Sequence, residues 1–418
     1  MKQSKLGAGR TVASGDGVKS GKITIWNRNF ICVVIINTLL CLGHASVNPI
    51  VASYAKFLNA SEPMMGLLTG MFYGVALAIR PVAGPVTTKS DKRTLLIAVF
   101  LIGGVANMGY ALFQSIPMFV FFRFLTGIQY GFVGSLIMTL AGDSLPPEKM
   151  ASGMGVYGVG AAVGTALAPS AGLYLLELGR RLAGDGAGFR MAFMFASAMM
   201  FISVIPSVVL LPDKKSKRDA ADAGAWYTNI LSVNALPGAA VMFFIIMAYS
   251  LYNVYIYEFA VERGIAEIGL FFPVTAGTLV FSRPFSGRLA DRYGAQKTMY
   301  PGMAILALSF VVIATSRSLS TVLIGGVMAA LGYGSTQPAL QAMCLQSVTH
   351  IKRGVASNTV YIGMDLGLFL GPLYGSLVYE SFNFSVMFMT GVIPIAIAII
   401  TFALIMPGYK RRREQLRD

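Results

Sequence analysis

The chain runs to 418 residues, 55% of them hydrophobic and only 12% charged, with a formal net charge of +15. At a mean hydropathy of +0.67, that much apolar surface does not fit inside one aqueous core, so lipid must be part of the solvent. A soluble enzyme is excluded on this ground. A transmembrane β-barrel is excluded too, because runs such as residues 193–211 show no dyad alternation.

In chain order, residues 1–27 are polar, basic and rich in Gly and Ser, without an apolar core or cleavage site, and read as a disordered cytoplasmic arm. Apolar stretches of about 20 residues then place helices near 30–58, 62–88, 95–115, 117–142, 150–176 and 189–211. A second set follows near 235–261, 266–288, 297–315, 319–345, 353–379 and 384–406. The fold class is therefore an all-α polytopic membrane protein with twelve spans. Its domains are a six-helix bundle over 28–211, a cytoplasmic linker over 212–234, a second bundle over 235–406 and a basic tail over 407–418. The polar segment 211–229 is where a mobile linker fits, and most other loops are short enough to force antiparallel neighbours. Residues 178–188 form an external segment that the second half lacks, either a gate or a tolerated surface insertion.

Lys and Arg set the orientation. With the N-terminus inside, the inner segments hold six in 1–28, three in 89–93, Lys149, four in 214–218, three in 288–297, two at 352–353 and five in 410–417, or 24 of 33. The outer ends hold six and the spans three, which puts both termini in the cytoplasm. The charge is thus a topology signal and needs no nucleic-acid partner, and the basic tail is placed to meet anionic lipid headgroups. Cys32, Cys41 and Cys344 all fall in apolar spans without metal-ligand spacing, so neither a metal site nor a disulfide framework is expected.

The two bundles are copies. Arg80-Pro81-Val82-Ala83-Gly84 returns as Arg283-Pro284-Phe285-Ser286-Gly287 at an offset of 203 (283 − 80), and the same offset pairs Tyr130-Gly131 with Tyr333-Gly334 and Pro169 with Pro372. Parallel repeats of this kind suit a transporter in which two similar bundles rock about a shared site.

A few polar residues interrupt the spans. His44 lies in span 1 beside Asn37, Ser46 and Asn48-Pro49, as either a packing residue or a proton relay. Arg123, six residues past Pro117, sits about 9 Å into the membrane, where it is either functional or snorkels outward. Asp365 lies twelve residues beyond Arg353, about 18 Å into a hydrocarbon core about 30 Å thick. A carboxylate at that depth must be protonated or paired. Arg80, nine residues before Lys89 and so about 14 Å from the same face, is open to pairing with it, as a proton relay or as a static bridge. Arg283 has no such mate, because the copy of Asp365 is Ala162 (365 − 203). Glu258 falls near the outer end of span 7, flanked by Tyr255, Tyr257 and Glu262-Arg263, as either a partly solvated acid or a substrate or proton site. Asn48, Asn253, Tyr333, Gln337, Gln341 and Asn358 are candidates for a polar substrate cavity.

The string Gly287-Arg288-Leu289-Ala290-Asp291-Arg292-Tyr293-Gly294 resembles the loop signature of the major facilitator superfamily, in which a carboxylate caps a helix of the other half. The first-half copy, from Gly84 to Asp91, carries Thr88 where the aspartate belongs (291 − 203), so this side of the lock is expected to be weaker, with Asp91 as a partial substitute. Arg123 with Gly127 and Gly131 is similar to the superfamily's fourth span. Gly160, Gly164, Ala168-Pro169 and Gly172 resemble the fifth-span phrase of drug:proton antiporters, and Gly363, Gly367, Gly371-Pro372 and Gly375 match it more closely. Such faces suit a hinge or a sliding contact between bundles. The resemblance covers residues 28–406 and extends to bacterial arabinose, drug and metallophore efflux permeases. It implies the major facilitator fold, abutment of spans 2 and 11 across the halves, and a monomer in the bacterial inner membrane moving a small molecule with protons and no cofactor.

Rival functions fare worse. Gly21-Lys22 belongs to no phosphate-binding loop, which removes an ATP-driven pump. Two histidines on separate segments, His44 and His350, do not make a membrane enzyme. A receptor or scaffold stays open, as do proton-symport uptake and facilitated diffusion of a sugar or metabolite beside proton-coupled efflux of an amphipathic solute.

Overall fold

The computed structural model describes residues 24–211 and 229–415. Residues 1–23 of the expected arm, 212–228 of the expected linker and the last three of the tail lie outside them. The described residues are helical, without a strand. Twelve helices are long and apolar enough to cross a membrane.

Two of the crossings are broken. The first comprises α1 (Arg28–Val47) and α2 (Val51–Phe57), joined by a 3-10 turn at Asn48–Ile50 where Pro49 withholds its amide. The first half continues with α3 (Glu62–Lys89), α4 (Lys92–Leu112), α5 (Ile116–Asp143), α6 (Met150–Ala183) and α7 (Asp185–Val209). The second half holds α8 (Leu236–Glu262), α9 (Phe271–Tyr293), α10 (Ala295–Thr315), α11 (Leu319–Gln346) and α12 (Arg353–Ser381). Its last crossing splits into α13 (Phe384–Thr390) and α14 (Val392–Gln415). Side chains that satisfy first-turn amides start several of these: Asn27 caps α1, Asp91 caps α4 and Asn383 caps α13.

Two sequence expectations change. Residues 178–188 are no loop, because α6 runs on to Ala183 and the chain reverses at Gly184, whose φ of +85° suits glycine, before α7 starts. The Arg180–Asp185 ion pair, at 2.9 Å, closes that reversal. The end of the linker is packed rather than mobile: Asn229 is fully buried, and the Ser232 amide donates to Thr359 Oγ1 at 2.9 Å. The tail from residue 407 to Gln415 continues α14 as helix.

Glycines show how the halves meet. At Gly155 and Gly287 an added Cβ would strike Arg283 O at 2.4 Å and Ala151 O at 2.5 Å, so α6 and α9 touch backbone to backbone. Gly354 of α12 faces Thr87 and Thr88 of α3 in the same way. These contacts lie toward the face that carries the chain ends. Toward the opposite face, Gly70 and Gly74 of α3 and Gly277 of α9 have nothing within 4 Å of a Cβ position. The close joining of the two bundles therefore lies at the terminal face, while at the distal face these stretches of α3 and α9 border open space, and in that sense the distal face is splayed.

The glycine rows of α6 and α12 lie elsewhere than expected. Gly160 and Gly164 face Thr38 and Cys41 of α1, while Gly363, Gly367 and Gly371 face Ala239, Phe243 and Ser250 of α8. They cement each half internally and are not the sliding surface between bundles. Proline explains part of the pattern: Pro169 and Pro372 remove one backbone donor each within these helices.

Candidate functional site

Arg80 is the largest fully buried side chain. It reaches from α3 across the seam to α12, where its Nε donates to Asp365 Oδ2 at 2.9 Å, and its Nη1 donates to Gly131 O of α5 at 2.8 Å. The Tyr361 ring covers the guanidinium at 4.8 Å, and Asn358 Nδ2 donates to Arg80 O at 2.7 Å. Gly131 is glycine because a Cβ there would stand 1.9 Å from Ile79, closing the route by which its carbonyl reaches Arg80. A carboxylate 6% exposed beside a guanidinium at 0% is a pair whose desolvation is offset only while both charges stay together. Removing either charge leaves the other stranded.

The symmetry copy is built differently. Arg283 of α9 donates through Nη2 to Gln337 Oε1 of α11 at 2.7 Å and through Nη1 to Gly158 O of α6 in the other half. Tyr333 lies 5.9 Å from its guanidinium, and Tyr249 stacks on Tyr333 at 4.0 Å. No carboxylate pairs with it among the described residues. Tyr157 and Tyr361 bring their hydroxyls to 3.5 Å across the seam between these two arginine sites.

Arg123 and His44 form a third cluster, inside the first half. Arg123 Nε donates to Leu68 O at 2.9 Å and its guanidinium lies 5.0 Å from Phe72, so it is held inward rather than snorkelling. His44 packs between Phe72 and Tyr130 at 5.5 and 5.4 Å, with Nε2 buried and without a hydrogen bond. Gln341 is buried on α11. Asn48, Asn253 and Glu258 are exposed.

Two locks close the terminal face. Asp291, in the last turn of α9 rather than in a loop, accepts from Ala151 N at 2.9 Å, from Ser152 N at 2.8 Å and from Ser152 Oγ at the start of α6. Arg292 follows it, exposed, and Gly294 reverses the chain at φ +89°. On the other side Thr88 donates to Gly84 O within α3 and lies against the first turn of α12. Asp91 caps its own α4 through Thr94 N at 2.8 Å. The carboxylate that bridges the halves here is Asp143 at the end of α5. It meets Lys92 at 2.7 Å, His350 at 3.1 Å and Arg353 at 3.2 Å.

The Major Facilitator Superfamily family model matches residues 33–277 and again 238–418. The chain belongs to this superfamily. Among curated relatives, it is 22% identical to Multidrug resistance protein 2 of Bacillus subtilis, over 86% of this chain and 91% of that one. It is also 22% identical to the multi-drug resistance efflux pump PmrA of Streptococcus pneumoniae, over 87% and 92%. Among solved structures, the superfamily transporter FucP in its outward conformation matches with a TM-score of 0.73 at 12% identity, covering 92% of this chain and 99% of that one. The two six-helix halves are those of a superfamily transporter. Within that fold, the structure joins Arg80 to Asp365 as the sequence suggested, and adds Asn358 to that site and Gln337 and Tyr333 to Arg283, three residues the sequence offered only as separate cavity candidates. The sequence reading missed Asp143, Tyr361, Tyr157, Tyr249 and the carbonyls of Gly131 and Gly158. Only the offset of 203 hinted at some of them, since it pairs Gly158 with Tyr361 (361 − 158).

Proposed function

We propose that this superfamily transporter exports an amphipathic, drug-like solute in exchange for protons, as a monomer in the bacterial cytoplasmic membrane with both termini inside. The observation that carries the reading is the Arg80–Asp365 pair, which spans the two halves below the splayed end. In an apolar seam, protonating Asp365 removes the charge that holds Arg80, so proton uptake and separation of α3 from α12 become one event. The basic-residue bias makes the joined face cytoplasmic, and the splayed face then opens outward. In this state Asp365 can load a proton from outside; parting of the Asp291 and Asp143 locks would expose it inside. The names of the curated relatives support drug efflux rather than uptake.

The test is flux in proteoliposomes holding purified protein, with a fluorescent lipophilic drug as probe. An imposed pH gradient should drive drug against its concentration gradient toward the acidic compartment, and a protonophore should stop it. Drug movement that ignores the gradient would overturn the coupling, and drug moving with the protons would reverse the direction.

A further inference from the structure

Five charged side chains are buried among the described residues: Arg80, Lys92, Arg123, Arg283 and Asp365. Lys92 meets Asp143 and Arg80 meets Asp365. Arg123 and Arg283 have no carboxylate: Arg123 is held by the Leu68 and Thr69 carbonyls within its own half, whereas Arg283, 5% exposed, has the Gln337 amide oxygen, the Tyr333 ring at 5.9 Å and, across the seam, the Gly158 carbonyl. Its Nε is buried with no hydrogen-bond partner. Neutral oxygens compensate a desolvated guanidinium poorly, and a carboxylate on its Nε edge would do so with two charge-assisted bonds.

The repeat shows which anion is missing. Arg80 is served by Asp365, one helical turn beyond Tyr361 on α12. In the copy, α6 carries Gly158 in place of Tyr361 and Ala162 in place of Asp365 (365 − 203). We propose that the transported substrate supplies that carboxylate: the solute is an organic anion with a flat apolar body, Arg283 is its counter-ion, and the stacked Tyr249–Tyr333 pair is the surface against which the apolar part lies. This deepens the transport reading above and rests on it. Substrate binding at Arg283 competes with Gly158 O, a contact between α6 and α9 that must break when the halves rock, so occupancy of the site favours release of the seam.

The experiment uses the purified full chain and three probes on one skeleton: 1-naphthoate, 1-naphthamide and 1-naphthylmethylammonium. Naphthoate should raise the melting temperature and bind at millimolar concentration or below, and the other two should not. Gln337→Glu and Ala162→Asp each place a fixed carboxylate beside Arg283. Both should melt at or above the parent temperature and bind naphthoate roughly 10- to 100-fold more weakly, the size of a lost bond to a charged partner. Equal binding of the three probes, no binding of naphthoate, or undiminished naphthoate binding in both variants overturns the proposal. Destabilisation of both variants also counts against it, because a carboxylate beside an unmatched guanidinium should stabilise the fold. Preference for the ammonium with intact gradient-driven drug flux defeats the anion inference alone. Preference for naphthoate without flux of any solute defeats the transport reading alone.

Discussion

Asp291→Asn should open the terminal face. The carboxylate uses both oxygens, Oδ1 on the Ala151 amide at 2.9 Å and Oδ2 on the Ser152 amide at 2.8 Å, and Oδ2 also takes the Ser152 hydroxyl. An asparagine keeps one acceptor and turns an NH2 group toward the other backbone N–H. The loss is one hydrogen bond to a charged group, about 1.5–3 kcal/mol, together with about 0.3–1 kcal/mol of helix-dipole attraction. These bonds exist only while α6 and α9 are joined, so the loss falls on the closed state alone. A net of about 2–4 kcal/mol lowers the closed-to-open ratio about 30- to 800-fold. Spin labels at exposed positions Lys89 and Lys352, in a cysteine-free background, report the gap between α3 and α12 by pulsed dipolar spectroscopy. The distance distribution should move to longer values in Asp291→Asn. An unchanged distribution would mean that the Asp143 network and the buried seam hold the face shut unaided, and the capping argument would fall.

The other side of the lock gives the reciprocal expectation: Thr88→Asp should shorten the same distances, since a carboxylate against the first turn of α12 adds about 0.3–1 kcal/mol to the closed state. Asp143→Asn should lengthen them by a smaller step than Asp291→Asn, because across the seam Asp143 faces only Arg353 and the exposed His350, Lys92 lies in its own half, and the asparagine oxygen still accepts from Arg353. Arg80→Ala should cost about 3–5 kcal/mol in detergent melts, as expected for a buried charge left without its partner, and Asp365→Asn should cost less because its amide oxygen still accepts from Nε. Gly172→Ala, whose Cβ would stand 2.2 Å from Ser46 O, should lower the melting temperature through about 1–3 kcal/mol of overpacking. Gly277→Leu, in open space, should leave melting alone but slow turnover if the distal face must close; wild-type turnover would show that α9 does not pack there in the alternate state.

Twelve crossings, two halves and their joining helices were legible because lipid imposes a length on every span and the offset of 203 imposes a symmetry. The Arg80–Asp365 pair was legible for a related reason: two opposite charges at compatible depths have few alternatives in hydrocarbon. Helix ends were less so. The signature around Asp291 reads as a loop by composition, yet helix persists to Tyr293 because Gly287 and Asp291 pack on α6, and the chain reverses only at Gly294. Which face a glycine row serves was also hidden, since small residues suit any close helix pair, and Gly160 and Gly363 serve contacts within a half. The role of Asp143 depends on three basic side chains from two halves, Lys92, His350 and Arg353, converging on one oxygen pair, a juxtaposition that periodicity does not carry. Backbone acceptors such as Gly131 O and Gly158 O leave no residue-type signal at all.

The central claim is that the carboxyl group of Asp365 carries the coupled proton while tying the halves together through Arg80. Asp365→Asn in proteoliposomes tests it directly, by measuring gradient-driven drug accumulation and drug–drug counterflow in the same preparation. The account predicts that accumulation disappears while counterflow persists, because the seam still opens and closes without a proton to move. Accumulation at the parent rate would contradict it.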